Sequence, residues 1–314
     1  MKAIFHYDAG PRLQARFAAL RTDGFDIRPC PEADDDRLAA LLPEAEVLLH
    51  VLKPATASII AQAPQLKLIQ KIGVGVNTID LAAARARGIA VANMPGTNTP
   101  AVAETALLLM LAALRNLAGL DRACRAGRGW EAGPALQEQA GELRGRVVGL
   151  VGAGMVPQAL VPMLHGLGAR PVYWSRTDHP ELGIPRRDLD ELIATADIVS
   201  LHLPLIPETE RLIDGAALAR MKPGAILVNT ARGGLVDEAA LVAALTSGHL
   251  RAAGLDVFAE EPVPPDNPLL ALDNVALMPH VAWLTPETLD RSLDLAVENM
   301  RRLRAGAGLL HRVA

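Results

Sequence analysis

Short apolar runs alternate along this chain with longer stretches whose apolar positions recur at helical spacing. A strand buried on both faces has no polar side to show, so this alternation predicts parallel strands covered by helices on both sides. Two series are legible. The first has candidate strands at Ala3–Phe5, Val47–Val51, Leu66–Gln70 and Ile89–Ala92, separated by Ala- and Leu-rich segments. The second has them at Val147–Val151, Pro171–Trp174, Ile198–Leu203, Ala225–Asn229, Gly254–Val257 and Val275–Met278. A second series of this size suits a dinucleotide-binding sheet, and the first reads as a smaller doubly wound domain.

The expected fold class is therefore α/β, with two doubly wound parallel-sheet domains: a Rossmann-type cofactor domain and a discontinuous, flavodoxin-like substrate domain. Capping signals place the junctions. Thr99-Pro100 offers an N-cap and a first-turn Pro before an apolar stretch that runs to Leu117, and apolarity all round implies a buried helix. Thr285-Pro286-Glu287 repeats the signal before Leu289, Leu293, Val297, Met300 and Leu303 at helical spacing, a helix expected to return and pack on the first domain. The expected domains are 1–97 with 285–314, which bind substrate, and 98–284, which bind dinucleotide, with a ligand cleft between them.

Composition narrows the partners. The chain has 314 residues, half of them hydrophobic, and a formal net charge of −4, so no general attraction to nucleic acid or an anionic membrane is expected. Its longest apolar run, Ala106–Leu114, is too short to span a bilayer. Cys30 and Cys124 belong to no Cys/His spacing, which argues against a metal site or a disulfide framework and for a reducing cytoplasm. No signal peptide is read in the N-terminal stretch, which runs straight into Ala3–Tyr7.

Val147–Val151 leads into Gly152-Ala153-Gly154-Met155-Val156-Pro157, a strand, a glycine turn and a helix start. Backbone amides at such a turn can approach a pyrophosphate, which makes Gly152, Gly154, Met155 and Val156 candidate cofactor contacts. Pro157 stands where a third glycine would allow close helix packing, and Pro162 further on predicts a kinked or displaced helix. After the second strand come Ser175, Arg176 and Thr177, where an acid would hold the ribose hydroxyls of NAD. A guanidinium there can bind a 2′-phosphate, with the two hydroxyls as further donors, so NADP(H) is expected to be preferred over NAD(H). The alternative is a solvated Arg176, with Asp178 reaching the ribose.

Five separated segments carry a resemblance. They are Gly73-Val74-Gly75-Val76-Asn77-Thr78-Ile79-Asp80, Asn93–Asn98 with Ala101–Glu104, Asn229–Gly234, Asp256–Pro262 and Pro279–Ala282. In residue type, order and placement they resemble the D-isomer-specific 2-hydroxyacid dehydrogenase family over nearly the whole chain. The resemblance implies a homodimer acting on a small 2-keto or 2-hydroxy acid. It implies that Arg232 orients the substrate, His280 is the acid/base and Glu261 its partner, with Asp256 near the nicotinamide carboxamide. Amides around Val74, Gly75 and Val76 would hold the substrate carboxylate. Thr230 joins the cofactor contacts, while His202 and Pro204 lie beside the adenosine or else shape a turn.

The chemistry supports these roles separately. Reduction of a keto acid needs a proton at the carbonyl oxygen as hydride reaches carbon, and an imidazolium supplies one near neutral pH. A carboxylate such as Glu261 favours the charged ring, and the fork of Arg232 polarises and aligns the carbonyl. Trp283 walls the substrate pocket or simply packs, Lys53 faces a cleft or solvent, and Glu104 reads as a paired structural acid. Glyoxylate or hydroxypyruvate reduction is expected ahead of 3-phosphoglycerate oxidation, since neither a regulatory domain nor an arginine cluster for phosphate is visible. Glu261 beside the histidine argues against formate as substrate. The rival class is a non-catalytic, nucleotide-sensing corepressor on the same fold.

Overall fold

The computed structural model describes residues 1–131 and 140–314. The chain divides into two compact units, Met1–Asn98 with Thr285–Ala314, and Thr99–Leu284. Each is built on one all-parallel sheet.

In the first unit the strands are β1 (Lys2–His6), β2 (Asp26–Cys30), β3 (Val47–His50), β4 (Leu68–Lys71) and β5 (Ala90–Ala92), ordered β2-β1-β3-β4-β5. That is the flavodoxin-like order. β2 has no counterpart in the apolar pattern because its sequence, Asp-Ile-Arg-Pro-Cys, is that of an edge strand; Pro29 costs no ladder bond on an open side. The terminal helix Pro286–Arg304 does pack on this unit. Thr285 caps it by accepting from Thr288 N at 3.1 Å, and Asn299 is fully buried, donating to Gln70 Oε1 at 2.6 Å. Arg16 bridges Asp290 and Asp294 from the first helix, at 2.8 and 2.6 Å.

The second unit contains β6 (Val147–Val151), β7 (Arg170–Trp174), β8 (Ile198–Leu201), β9 (Ala225–Asn229), β10 (Leu250–Leu255) and β11 (Val275–Leu277), ordered β11-β10-β9-β8-β6-β7. Beyond β7 the segment Pro185–Arg187 adds a single parallel bridge, with Tyr173 N donating to Pro185 O and Arg187 N to Tyr173 O. It occupies the place of the third strand in a dinucleotide fold, reduced to a bridge where Pro185 cannot donate. The chain reverses its direction of travel across the sheet between β6 and β8, the switch point where such sheets bind ligands.

One expectation about the helices changes. The apolar helix spans Thr99–Leu114, so Thr99 is its first residue rather than its cap, and it stops short of Leu117 because Asn116 turns left-handed at φ +48°. A second helix, Leu117–Arg125, leaves at 65°. Among the described residues, no single helix is long and apolar enough to cross a membrane. The helix Met155–Gly166 carries Pro162 inside a single unbroken span.

Candidate active site

Arg232, Glu261 and His280 follow β9, β10 and β11, so each leaves the carboxyl end of a neighbouring parallel strand. His280 Nδ1 lies 2.6 Å from Glu261 Oε2. The other carboxylate oxygen accepts from Phe258 N at 2.9 Å, which aims the group at the ring. Burial opposes the charge on Glu261, yet the His280 contact, the Phe258 amide and the Arg232 charge together hold its carboxyl below the usual range. Burial likewise lowers the Arg232 guanidinium, with Glu261 pulling the other way.

His280 has φ +57°, a left-handed conformation uncommon for a residue with a Cβ and one that persists only when its surroundings impose it. Here they do. His280 N donates to Asp256 O at 2.7 Å, and the buried Trp283 donates its indole N–H to His280 O at 3.1 Å. The Asp256 carboxylate accepts from Val281 N at 2.8 Å and Ala282 N at 3.0 Å. Burial raises that carboxyl against the pull of both amides. In this structure Asp256 and Trp283 therefore brace the turn that carries His280.

Three residues outside the sequence-derived site hold Arg232 and Glu261 in register. Asn229 donates to Arg232 O at 2.8 Å and accepts from Ala231 N at 3.0 Å, bracing the turn after β9. Glu238 accepts from Ala259 N at 2.9 Å and from Asn267 at 2.8 Å, anchoring the loop after β10. Gly233 lets the two loops touch, since a Cβ there would fall 1.9 Å from the Phe258 carbonyl. Asn229 and Gly233 stand inside a segment that the sequence singles out, but nothing in one dimension reveals what they contact.

The glycine turn fits a dinucleotide. Gly152 has φ +118°, and a Cβ on it would meet His202 O at 2.6 Å, so it serves the turn itself. A Cβ on Gly154 would meet nothing within 4 Å, leaving room for a ligand against the helix start. The first-turn amides of Met155 and Val156 have no intrahelical acceptor, as in any helix N-terminus, and Pro157, itself buried, takes up the third position without needing one. Thr230 Oγ1 and His202 Nε2 are enclosed without a hydrogen-bond partner, and burial lowers the His202 pKa to about 4. Pro204 is exposed, and its carbonyl accepts from Thr209 Oγ1 at 2.7 Å within a turn.

The loop after β7 departs from expectation. Ser175 Oγ donates to Thr177 O, and Thr177 Oγ1 pairs with His179 Nε2 at 3.0 Å, so neither hydroxyl is a spare donor. Asp178 is bonded to the Tyr173 hydroxyl at 2.7 Å. Arg176 is exposed and its guanidinium makes no hydrogen bond or ion pair among the described residues.

In the first unit, Gly73 O accepts from Met94 N at 2.8 Å and Val74 O from Asn93 Nδ2 at 2.9 Å. The amides of Val74, Gly75 and Val76 donate to no acceptor among the described residues, a row of open N–H groups suited to an anion. Lys53 is tied to Glu32 O and to Asp35 rather than left in solvent. Glu104 is exposed and forms no ion pair among the described residues, so it is not the paired acid expected of it.

Residues 107–282 match the family model described as D-isomer specific 2-hydroxyacid dehydrogenase, NAD binding domain. The chain belongs to the D-isomer specific 2-hydroxyacid dehydrogenase family. Within that family it is 43% identical over 302 residues to D-3-phosphoglycerate dehydrogenase of Mycobacterium tuberculosis, covering 94% of this chain and 56% of the relative. The chain thus spans about half the length of that curated relative. A glyoxylate reductase of Korarchaeum cryptofilum is 39% identical over 277 residues, 87% of this chain and 81% of its own. Among solved structures, the TT0316 protein of Thermus thermophilus superposes with a TM-score of 0.90 at 38% identity, and the match covers all of both chains.

Proposed function

We propose that this family member reduces a small 2-keto acid to the 2-hydroxy acid, with glyoxylate or hydroxypyruvate as substrate and NADP(H) as the preferred cofactor, NAD(H) remaining usable. The 2.6 Å contact of His280 Nδ1 with Glu261 Oε2, beside the Arg232 charge, carries the reading. When bound, the reduced nicotinamide supplies the hydride to the carbonyl carbon. His280, protonated and oriented by Glu261, gives its proton to the carbonyl oxygen as that oxygen gains charge, and becomes neutral. In oxidation the same ring takes the proton from the hydroxyl. Arg232 binds the carbonyl and carboxylate oxygens together and so fixes the face presented to hydride. The open amides of Val74, Gly75 and Val76 hold the carboxylate. Gly154, Met155 and Val156 receive the pyrophosphate, Thr230 and His202 line the cofactor, and Arg176 meets a 2′-phosphate.

The protein acts as a cytoplasmic homodimer in this reading. Both cysteines are free, and Leu108, Leu111, Leu117 and Trp130 leave apolar surface exposed for a second copy. The test is an absorbance assay of the purified protein with NADPH or NADH against glyoxylate, hydroxypyruvate, pyruvate, bulkier 2-keto acids and 3-phosphohydroxypyruvate. Turnover of the short acids with NADPH favoured is the expected result. Cofactor binding without turnover of any acid would replace the enzyme by a nucleotide sensor. Efficient use of the phosphorylated acid alone would move the substrate toward that of the mycobacterial relative.

A further inference from the structure

Two groups of opposite charge stand in the loop that follows β7, Arg176 and Asp178, and only one can serve the adenosine ribose. A carboxylate suits the free hydroxyls of NAD, whereas a guanidinium suits the 2′-phosphate of NADP. We propose that the Tyr173 hydroxyl decides between them: it is a positioning group that holds Asp178 off the ribose and leaves that site to Arg176. This rests on the NADP(H) reading above.

Tyr173 lies on β7 with 1% of its surface exposed, packed in the core that includes Leu160, Leu164 and Leu182. A buried phenol needs a partner for its O–H. It donates to Asp178 Oδ1 at 2.7 Å and accepts from His179 N at 2.8 Å, while His179 N also reaches Asp178 Oδ1 at 3.1 Å. Turning Asp178 outward would leave the buried phenol's proton without an acceptor, with only His179 N still on its oxygen, and this penalty keeps the carboxylate in place.

The rest of the loop is held as well. Arg186 donates to Ser175 O at 2.9 Å and Arg176 O at 3.4 Å, Ser175 Oγ donates to Thr177 O, and His179 Nδ1 lies 2.7 Å from Glu181 Oε1. The Arg176 side chain is left to meet an anion.

Fluorescence titration of NADPH and NADH gives dissociation constants without any turnover, for the wild type, Tyr173→Phe, Asp178→Asn and the double variant. Phe keeps the buried ring, and melting curves verify the fold of each variant. Tyr173→Phe removes the shorter of the two hydrogen bonds on Asp178 Oδ1 and leaves only that from His179 N, so NADH binding should improve relative to NADPH by about tenfold, the size of one charge-assisted hydrogen bond. The double variant should lose that gain. Asp178→Asn alone should leave NADH affinity within about twofold, because its amide oxygen still accepts from Tyr173. An unchanged NADPH:NADH ratio in Tyr173→Phe, or a weakened NADH affinity in Asp178→Asn, would overturn the proposal. Failure of the underlying reading has its own signature: Arg176→Ala would leave the wild-type ratio unaltered.

Discussion

Replacing Gly233 by alanine tests whether the contact between the loops after β9 and β10 sets the geometry of Arg232, Glu261 and His280. The added Cβ would lie 1.9 Å from the Phe258 carbonyl carbon and oxygen and 2.5 Å from Ala259 N. Ordinary contact begins near 3.4 Å, so the two backbones must part by about 1.5 Å (3.4 − 1.9). No flexible side chain can absorb that displacement, because the obstructing atoms are main chain. The same stretch carries Phe258 N on Glu261 Oε1 and Ala259 N on Glu238 Oε2, both at 2.9 Å. A misplacement of about 1 Å at a reacting constellation costs roughly 10²-fold in rate. Overpacking of this kind costs about 1–3 kcal/mol of stability, equivalent to a fall of roughly 2–12 °C in Tm for a unit of this size.

Gly233→Ala should therefore fold, melt earlier, and lose about a hundredfold or more in kcat/KM for keto-acid reduction. Gly154→Ala is the matched control, since its Cβ meets nothing within 4 Å: Tm should hold while dinucleotide affinity falls. Stopped-flow or steady-state nicotinamide absorbance and differential scanning calorimetry read the two effects. Wild-type kcat/KM and Tm in Gly233→Ala would show that the loops are not held by this contact, and the positioning argument would fail with it.

Further outcomes follow from the same geometry. His280→Ala should abolish turnover while dinucleotide affinity stays within a fewfold of wild type; surviving turnover would remove the ring from the proton step. Glu261→Gln removes the carboxylate whose Oε2 lies 2.6 Å from His280 Nδ1 and orients the ring, so kcat for reduction should fall by about tenfold or more, and an unchanged kcat would deny the pairing. Burial lowers the pKa values of His6, His50 and His202, the last from 6.5 to about 4. The unfolded chain takes up protons from about pH 6.5 downward while the folded state refuses them, so the stability these neutral rings contribute is present above that pH. It is lost as pH falls through the folded values. His202 alone accounts for up to about 3 kcal/mol of that acid loss, and His202→Gln should flatten the decline of Tm between pH 6.5 and 4. Parallel curves would place the acid sensitivity elsewhere.

Much of the parallel framework is legible in one dimension. Strands such as Val147–Val151 and Ala225–Asn229 are buried on both faces and appear as unbroken apolar runs. β2 escapes that reading because an edge strand can carry Asp26, Arg28 and Pro29, and the reduced third strand at Pro185–Arg187 escapes it because one bridge needs no apolar run. Arg232, Glu261 and His280 are visible as polar residues just after candidate strands, and parallel topology sends all such ends to one edge. Chain order and residue type thus determine the fold class and the chemistry available at that edge.

What surrounds those three residues depends on contacts between distant segments. Gly233 presses on Phe258, Glu238 holds Ala259, and Asp256 accepts from Val281 and Ala282. Each link joins loops from different strands, and its donor–acceptor geometry exists only after the sheet has set their spacing. The left-handed turn at His280 is imposed in the same way, since local sterics disfavour it and only the completed network repays the cost. The two opposite charges at Arg176 and Asp178 leave the ribose site undecided in sequence. What the fold adds is the bond on Asp178, because a phenol buried in the core must find a partner and Asp178 is within its reach.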